Sequence, residues 1–316
     1  MKQTLTRLSS VLEIRMAGLA LLIAIALSIA SPYFLTASNL YNLMDQSVVV
    51  GIVAIGMTFV ILTGGIDLSV GSVMGLTGIL LGLALREFPI PIAIVLAIAS
   101  GAFIGSISGT LVSVFGLAPF VVTLGAMAIC RSLAYVVSGQ RTISGLPESL
   151  ERLVYDSFLG LQMNVIILIL LYVLAWIYLS RMKGGRTIYA VGSNKEAARI
   201  SGLNVQFYTI LPYIVSGALC AVAVTLIAAQ IGSIDPLAGN GMELDAIAAV
   251  VIGGASLFGG RGSIIGTLFG VLIMVMVRNG MNLLGVSPFW QGTAIGTIII
   301  AAVLVESLLS GRSRRK

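Results

Sequence analysis

The sequence predicts an all-helical, polytopic membrane protein, a transmembrane bundle of about ten spans, and three observations carry that prediction. Of its 316 residues, 58% are hydrophobic and only 9% charged, where soluble domains run near ~25% charged. Mean hydropathy is +1.08 although 37 glycines fall outside the hydrophobic class. The apolar residues gather in runs that approach the ~20 residues a helix needs to cross a bilayer. Residues 1–316 therefore read as a single transmembrane domain.

In chain order the runs are Ala17–Ser31, Val48–Thr63, Val73–Leu85, Ile90–Val114, Val121–Ser138, Val165–Leu179, Thr209–Ile231, Ala246–Phe258, Ile264–Leu284 and Trp290–Leu308. The first follows a basic start and ends in small residues, Ser28 and Ala30, so it reads either as a signal peptide or as an uncleaved signal anchor. The anchor reading is preferred, and the remaining topology is the same either way. Val73–Leu85 and Ala246–Phe258 are short and rich in glycine, the pattern of broken or tilted helices. GAFIGSISG from Gly101 and GSIIGTLFG from Gly262 place small residues at intervals of three or four, which favours close helix packing. VILTGGIDLSVGSVMGLTG from Val60 and VVIGGASLFGGRGSIIGTL from Val250 share a Gly-Gly followed by Gly-Ser-x-x-Gly, a match that duplication and coincidence explain equally well.

Orientation comes from the basic residues. With a cytoplasmic N-terminus the inner connections receive Lys2, Arg7, Arg15, Arg181, Lys183, Arg186, Lys195, Arg199, Arg261, Arg312, Arg314, Arg315 and Lys316, most of the 18 basic residues. The outer connections hold Arg86, Arg141 and Arg152 among a majority of carboxylates, and Arg131 and Arg278 belong to spans. This positive-inside bias predicts both termini in the cytoplasm. The same bias explains the net charge of +6 without nucleic acid.

Absences exclude whole classes of function. There is no histidine, hence no imidazole base, ligand or proton relay. Cys130 and Cys220 lie about ninety residues apart inside apolar runs, as small buried hydrophobes, and no metal site is expected. No Gly-Lys pair occurs, so the chain has no phosphate-cradling loop of the Walker type.

Two polar segments stand out. GGIDLSVGS, Gly64–Ser72, sets Asp67 between apolar runs near the predicted cytoplasmic face. An intramembrane carboxylate is a functional candidate, and the weightier reading is that Asp67, Ser69 and Ser72 cap the next helix. The longest inner connection, residues 181–208, carries Ser193 or Asn194 as N-cap of KEAARIS, closed by Gly202: a short surface helix suited to docking a cytoplasmic partner.

GRTIYAVGSNKEAARISGLNV, with ILTGGIDLSVGS, ELDAIAAVVIGGASLFGG and NGMNLLGVSPFWQ in that order, resembles the ribose-type permeases of ATP-binding-cassette importers over nearly the whole chain. The resemblance implies a single permease domain in a bacterial inner membrane. It implies a second permease copy or paralogue, a cytoplasmic ATPase that binds ATP and Mg, and an extracytoplasmic sugar-binding protein, with no cofactor in this chain. It assigns Gly192, Glu196, Ala197 and Gly202 to a coupling helix seated on the ATPase, and Ser193, Asn194, Ala198 and Arg199 lie in the same segment. An outer loop at 139–164 offers Glu148, Glu151 and Asp156 to the binding protein. Thr63, Asp67, Ser69, Gln230, Asn279, Asn282 and Gln291 are the pathway candidates for a small polyol, each of which serves equally well as hydrogen-bond glue between helices. An ion-coupled secondary transporter is the alternative, and no nucleophile, base or metal constellation suggests a membrane enzyme.

Overall fold

The computed structural model describes residues 2–158, 160–287 and 289–313. Arg314, Arg315 and Lys316 lie outside the described residues, as do the side chains of Lys2, Arg7 and Arg312. The helices are α1 (Lys2–Ala30), α2 (Ala37–Leu62), α3 (Val70–Glu87), α4 (Ile90–Ser113), α5 (Pro119–Ser138), the single turn α6 (Arg152–Tyr155), α7 (Met163–Arg181), α8 (Lys183–Ser193), α9 (Lys195–Ile200), α10 (Val205–Ile231), α11 (Met242–Ile252), α12 (Ile264–Leu283) and α13 (Phe289–Ser313). Eight helices among the described residues are long and apolar enough to cross a membrane: α1, α2, α3, α4, α5, α7, α10 and α12.

The eighth and tenth predicted spans resolve differently. The run at 246–258 becomes α11, whose 11 residues rise only ~16 Å, about half a bilayer core. The chain leaves the helix at Gly253 and forms a turn through Arg261 instead of continuing to Phe258. The run at 290–308 lies in α13, a helix of 25 residues. The bundle is all-helical apart from two-residue pairings, Ile143–Ser144 on Ser233–Ile234 and Ser157–Phe158 on Leu161–Gln162.

α2 and α10 form the centre of the bundle. α10 packs most extensively on α4 and α2, and α2 is buried from Ser47 to Leu62. The small-residue stripes act as expected: Gly101, Gly105 and Gly109 of α4 meet Gly217, Tyr213 and Ile210 of α10, where any Cβ would overlap backbone. Gly266 and Gly270 of α12 meet Gly253 and Ala249 of α11 in the same way. Backbone contact of this kind is how membrane helices gain dispersion energy without a hydrophobic driving force between them.

The weak repeat is real in local conformation. α2 ends with the amides of Gly65 and Gly64 bonded to the carbonyls of Val60 and Ile61, and α11 ends with Ala255 and Gly254 bonded to Val250 and Val251. Both are the six-to-one and five-to-two hydrogen bonds of a Schellman C-cap, with Gly64 and Gly254 at positive φ.

Asn279, a pathway candidate, bridges α12 to α2. It exchanges reciprocal amide hydrogen bonds with Asn39 of α2 at 2.7 and 3.1 Å, both side chains buried. Asn279→Leu strands Asn39 Oδ1, while Asn39 Nδ2 keeps the Phe34 carbonyl at 2.8 Å, and should cost ~1–3 kcal/mol, whereas Asn39→Leu with Asn279→Leu removes both side-chain amides but also the donor to Phe34, and should restore only part of the loss. Thermal unfolding of the two proteins in one detergent measures the difference.

Candidate translocation and coupling sites

Two non-helical segments enter the bundle from opposite ends. Residues 63–69 turn back from the end of α2 beside α8. Asp67 is buried there, accepting from the Ser69 amide (3.0 Å), the Ser69 hydroxyl (2.6 Å) and Ser216 Oγ of α10 (2.9 Å). Ser216 stands three turns into α10, ~16 Å from its start, and faces Gly56 of α2. Thr123 of α5 donates to the Ile66 carbonyl at 3.2 Å. The sequence placed Asp67 near the membrane face as a helix cap. The structure corrects this: Ser69 is the N-cap of α3 and makes no side-chain cap bond, and Asp67 pins a re-entrant loop to α10 inside the bundle. Three donors satisfy this buried carboxyl, and Ser69 of the loop supplies two of them.

Residues 232–241 enter from the other end. Ile234 packs against Gly78 and Gly82 of α3, the Pro236 and Ala238 carbonyls lie at Gly75, and Gly239 reaches Gly71 at the start of α3. Arg131, in the middle of α5, donates to the Pro236 carbonyl (2.5 Å) and the Ala238 carbonyl (3.3 Å). Asp235 closes the turn by accepting from the Leu237 amide (2.7 Å) and Thr142 Oγ1 (3.0 Å). α3 and α11 thus both begin inside the bundle, the 18-residue α3 running on to one end and the shorter α11 to the other. Irregular backbone at such depth survives only where protein groups satisfy its polar atoms, and Arg131 does so here. The Glu243 carboxylate, on α11, lies beside Gly71 with the Gly239 carbonyl. An ion pair joins the half-buried Arg278 of α12 to the buried Asp245 of α11 at 2.6 Å.

At the α8 end the short helix forms as predicted, preceded by a further helix. Asn194, not Ser193, is the N-cap of α9, accepting from the Ala197 amide at 2.9 Å. Gly202 follows at φ +76°. Glu196 and Arg199 form an exposed bidentate pair at 2.7 and 3.0 Å, which holds the Glu196 carboxyl below its ordinary range and the Arg199 guanidinium above it. Ala197 is exposed, but Ala198 is buried against the chain itself. Ala198 therefore cannot touch a partner, which corrects its place in the predicted docking set. The helix turns Ile200 outward, 77% exposed.

α8 anchors this element. A Cβ on Gly192 would overlap the Leu62 carbonyl at the end of α2, which already accepts from the Gly260 amide at 2.9 Å. Gly260 abuts Ser193. Tyr189 donates to the Gly262 carbonyl at 3.0 Å, and burial, with Glu13 nearby, pushes its phenol up to about 12. Glu13 of α1 accepts from Ser263 at 2.5 Å. α1, α2, α8 and the turn before α12 therefore meet in one junction directly beside α9.

The remaining candidates scatter. Thr63 is buried and bonded to its own helix at the Val60 carbonyl. Asn282 and Gln291 pair with each other at 2.8 Å. Gln230 borders a cavity at the end of the bundle opposite α8. Glu148 and Glu151 lie exposed on a single 3₁₀ turn, Glu148–Glu151, and Asp156 is exposed after α6. Leu150 and Val154 anchor this segment, and Tyr155 Oη donates to the Gln230 carbonyl at 3.1 Å.

Sequence reasoning missed Arg131, Glu243 and the Asp245–Arg278 pair. The signal was present, since a guanidinium inside an apolar run marks function or a buried partner. It also missed Ile200 and Phe258, which is 78% exposed in the turn beside α8.

The family described as branched-chain amino acid transport system / permease component matches residues 39–305. The ribose import permease of Bacillus subtilis (strain 168) is 42% identical over 292 residues, covering 92% of this chain and 90% of its own. The ribose import permease of Escherichia coli (strain K12) is 41% identical, with 92% of each chain covered. The D-allose transport system permease of the same strain is 37% identical, with 92% and 90% covered. No solved structure matches. With a family match across most of its length and import permeases as its relatives, the chain belongs to this family of ABC-importer permease components, as a transport subunit and not an enzyme.

Proposed function

We propose that the chain is the translocating subunit of an ATP-driven sugar importer in a bacterial inner membrane, paired with a second permease copy or paralogue. The observation that carries this reading is the exposed, capped α9 fixed to a four-element junction at one end of the bundle. A rigid surface element of this kind transmits force from a separate motor, and the chain has no Gly-Lys loop with which to hold ATP itself. The motor is an ATPase that binds ATP and Mg and seats α9. The relatives named for ribose and D-allose import support a monosaccharide as cargo. The basic residues Lys183, Arg186, Lys195, Arg199 and Arg261 gather at the α8 and α9 end, which supports a cytoplasmic location for that end and for both termini.

The opposite end faces the binding protein. Glu148, Glu151 and Asp156 supply an acidic surface there, and the buried Leu150 and Val154 hold it in place. Glu148→Lys with Glu151→Lys should weaken binding-protein stimulation several-fold at low salt and less at high salt. An unchanged response at every ionic strength removes this segment from the docking surface. The reading as a whole is tested by purification. Alone in lipid the chain should hydrolyse no ATP, and co-purified with its ATPase it should give hydrolysis stimulated by sugar-loaded binding protein. Failure to associate with any ATPase under co-expression contradicts it.

A further inference from the structure

We propose that the cavity bounded by Asp45, Gln46, Gln230 and Arg278 is a low-affinity monosaccharide subsite on the transport route. This rests on the sugar-importer reading above. The cavity is about 280 Å³ and lies where α2, α10, α11 and α12 converge, near the end opposite α8. It is open on one side and has room for one five- or six-carbon sugar.

Its polar groups are positioned and incompletely used. Asp45 is oriented by the buried Asn164 of α7, whose amide donates to it at 2.9 Å, and among the described residues it takes no other hydrogen bond. Arg278 gives Nη2 to Asp245, while its Nε is buried with no partner. Gln46 and Gln230 add two amides, and Val50 and Ile227 form an apolar wall. A few convergent donors and acceptors against an apolar wall suit a ring with hydroxyls at its edge and C–H on its faces.

The charges select against an amino acid, the cargo class in the family's description. Arg278 is committed to Asp245, and Asp45 would repel an α-carboxylate, so no free cation awaits a zwitterion. A neutral polyol meets neither penalty. α2 runs unbroken from Asp45 at this cavity to Leu62 at the junction beside α9, so occupancy and coupling share one rigid element.

The test uses Gln230→Cys in the complete complex in proteoliposomes, treated with a bulky cationic thiol reagent. Gln230 is exposed, so the variant keeps the fold, and Cys130 and Cys220 are buried, so wild type serves as the unlabelled control. Labelling should reduce uptake of D-ribose or D-allose, whichever wild type carries better, by at least tenfold. In nanodiscs without binding protein, millimolar amounts of that sugar should slow labelling at least threefold and leucine should not. Gln46→Leu should lower maximal uptake without changing the affinity of the binding protein for sugar. Full uptake after complete labelling overturns the subsite, and so does protection by leucine instead of sugar. A wild-type complex that carries no sugar overturns the functional reading itself, and this inference with it.

Discussion

Ala197→Arg should abolish the stimulation of ATP hydrolysis by sugar-loaded binding protein while leaving the chain inserted and as heat-stable as wild type. Ala197 is on the exposed side of α9, and an arginine there meets nothing in its own chain. Against a partner it fills the space that a small side chain leaves for close approach. Gly192→Val should have the same effect on coupling by a different cause. Its Cβ overlaps the Leu62 carbonyl and forces apart α2, α8 and the Gly260 turn, so stability should fall along with uptake. The two variants together separate a docking fault from a transmission fault. Glu196→Gln should matter little by comparison, because a solvent-exposed ion pair contributes little.

Arg131→Met should reduce uptake more than tenfold and destabilise the bundle. It removes the donor to the Pro236 and Ala238 carbonyls, and hydrogen bonds from a charged donor are worth ~1.5–3 kcal/mol each. The segment 232–241 is then unsatisfied at depth, and Glu243 loses its nearby positive charge. Arg131→Lys keeps the charge but not the reach of the guanidinium fork, and should fall between Met and wild type. Uptake by proteoliposomes and thermal unfolding of the purified complex measure both effects. Wild-type uptake by Arg131→Met would remove the 232–241 segment from the transport machinery.

The helices were legible because bilayer-crossing runs and glycine spacing are local properties. Gly101, Gly105 and Gly109 announced a close contact without naming α10 as its partner. Of the two short, glycine-rich runs read as broken or tilted, Ala246–Phe258 ends as a helix at Ile252 and Val73–Leu85 lies in an unbroken α3. The depth of the 63–69 and 232–241 segments was not legible, because it depends on Ser216 and Arg131, more than a hundred residues away along the chain in each case. The same distance hid the role of Asn279, whose partner Asn39 is 240 residues away. Around α9 the N-cap and the terminal glycine were readable, and the burial of Ala198 was not, since six residues of helix do not reveal which side rests on the rest of the chain.

In the proposed function, ATP hydrolysed on a separate subunit drives transport through this chain. The most direct measurement is uptake of labelled D-ribose and D-allose by proteoliposomes, with ATP and Mg enclosed on the side of α9 and binding protein on the other. Concentrative uptake should need the permease, the ATPase and the binding protein together, and the lone chain should give none under a sodium or proton gradient. Uptake by the lone chain driven by either gradient, with no ATP present, would contradict it.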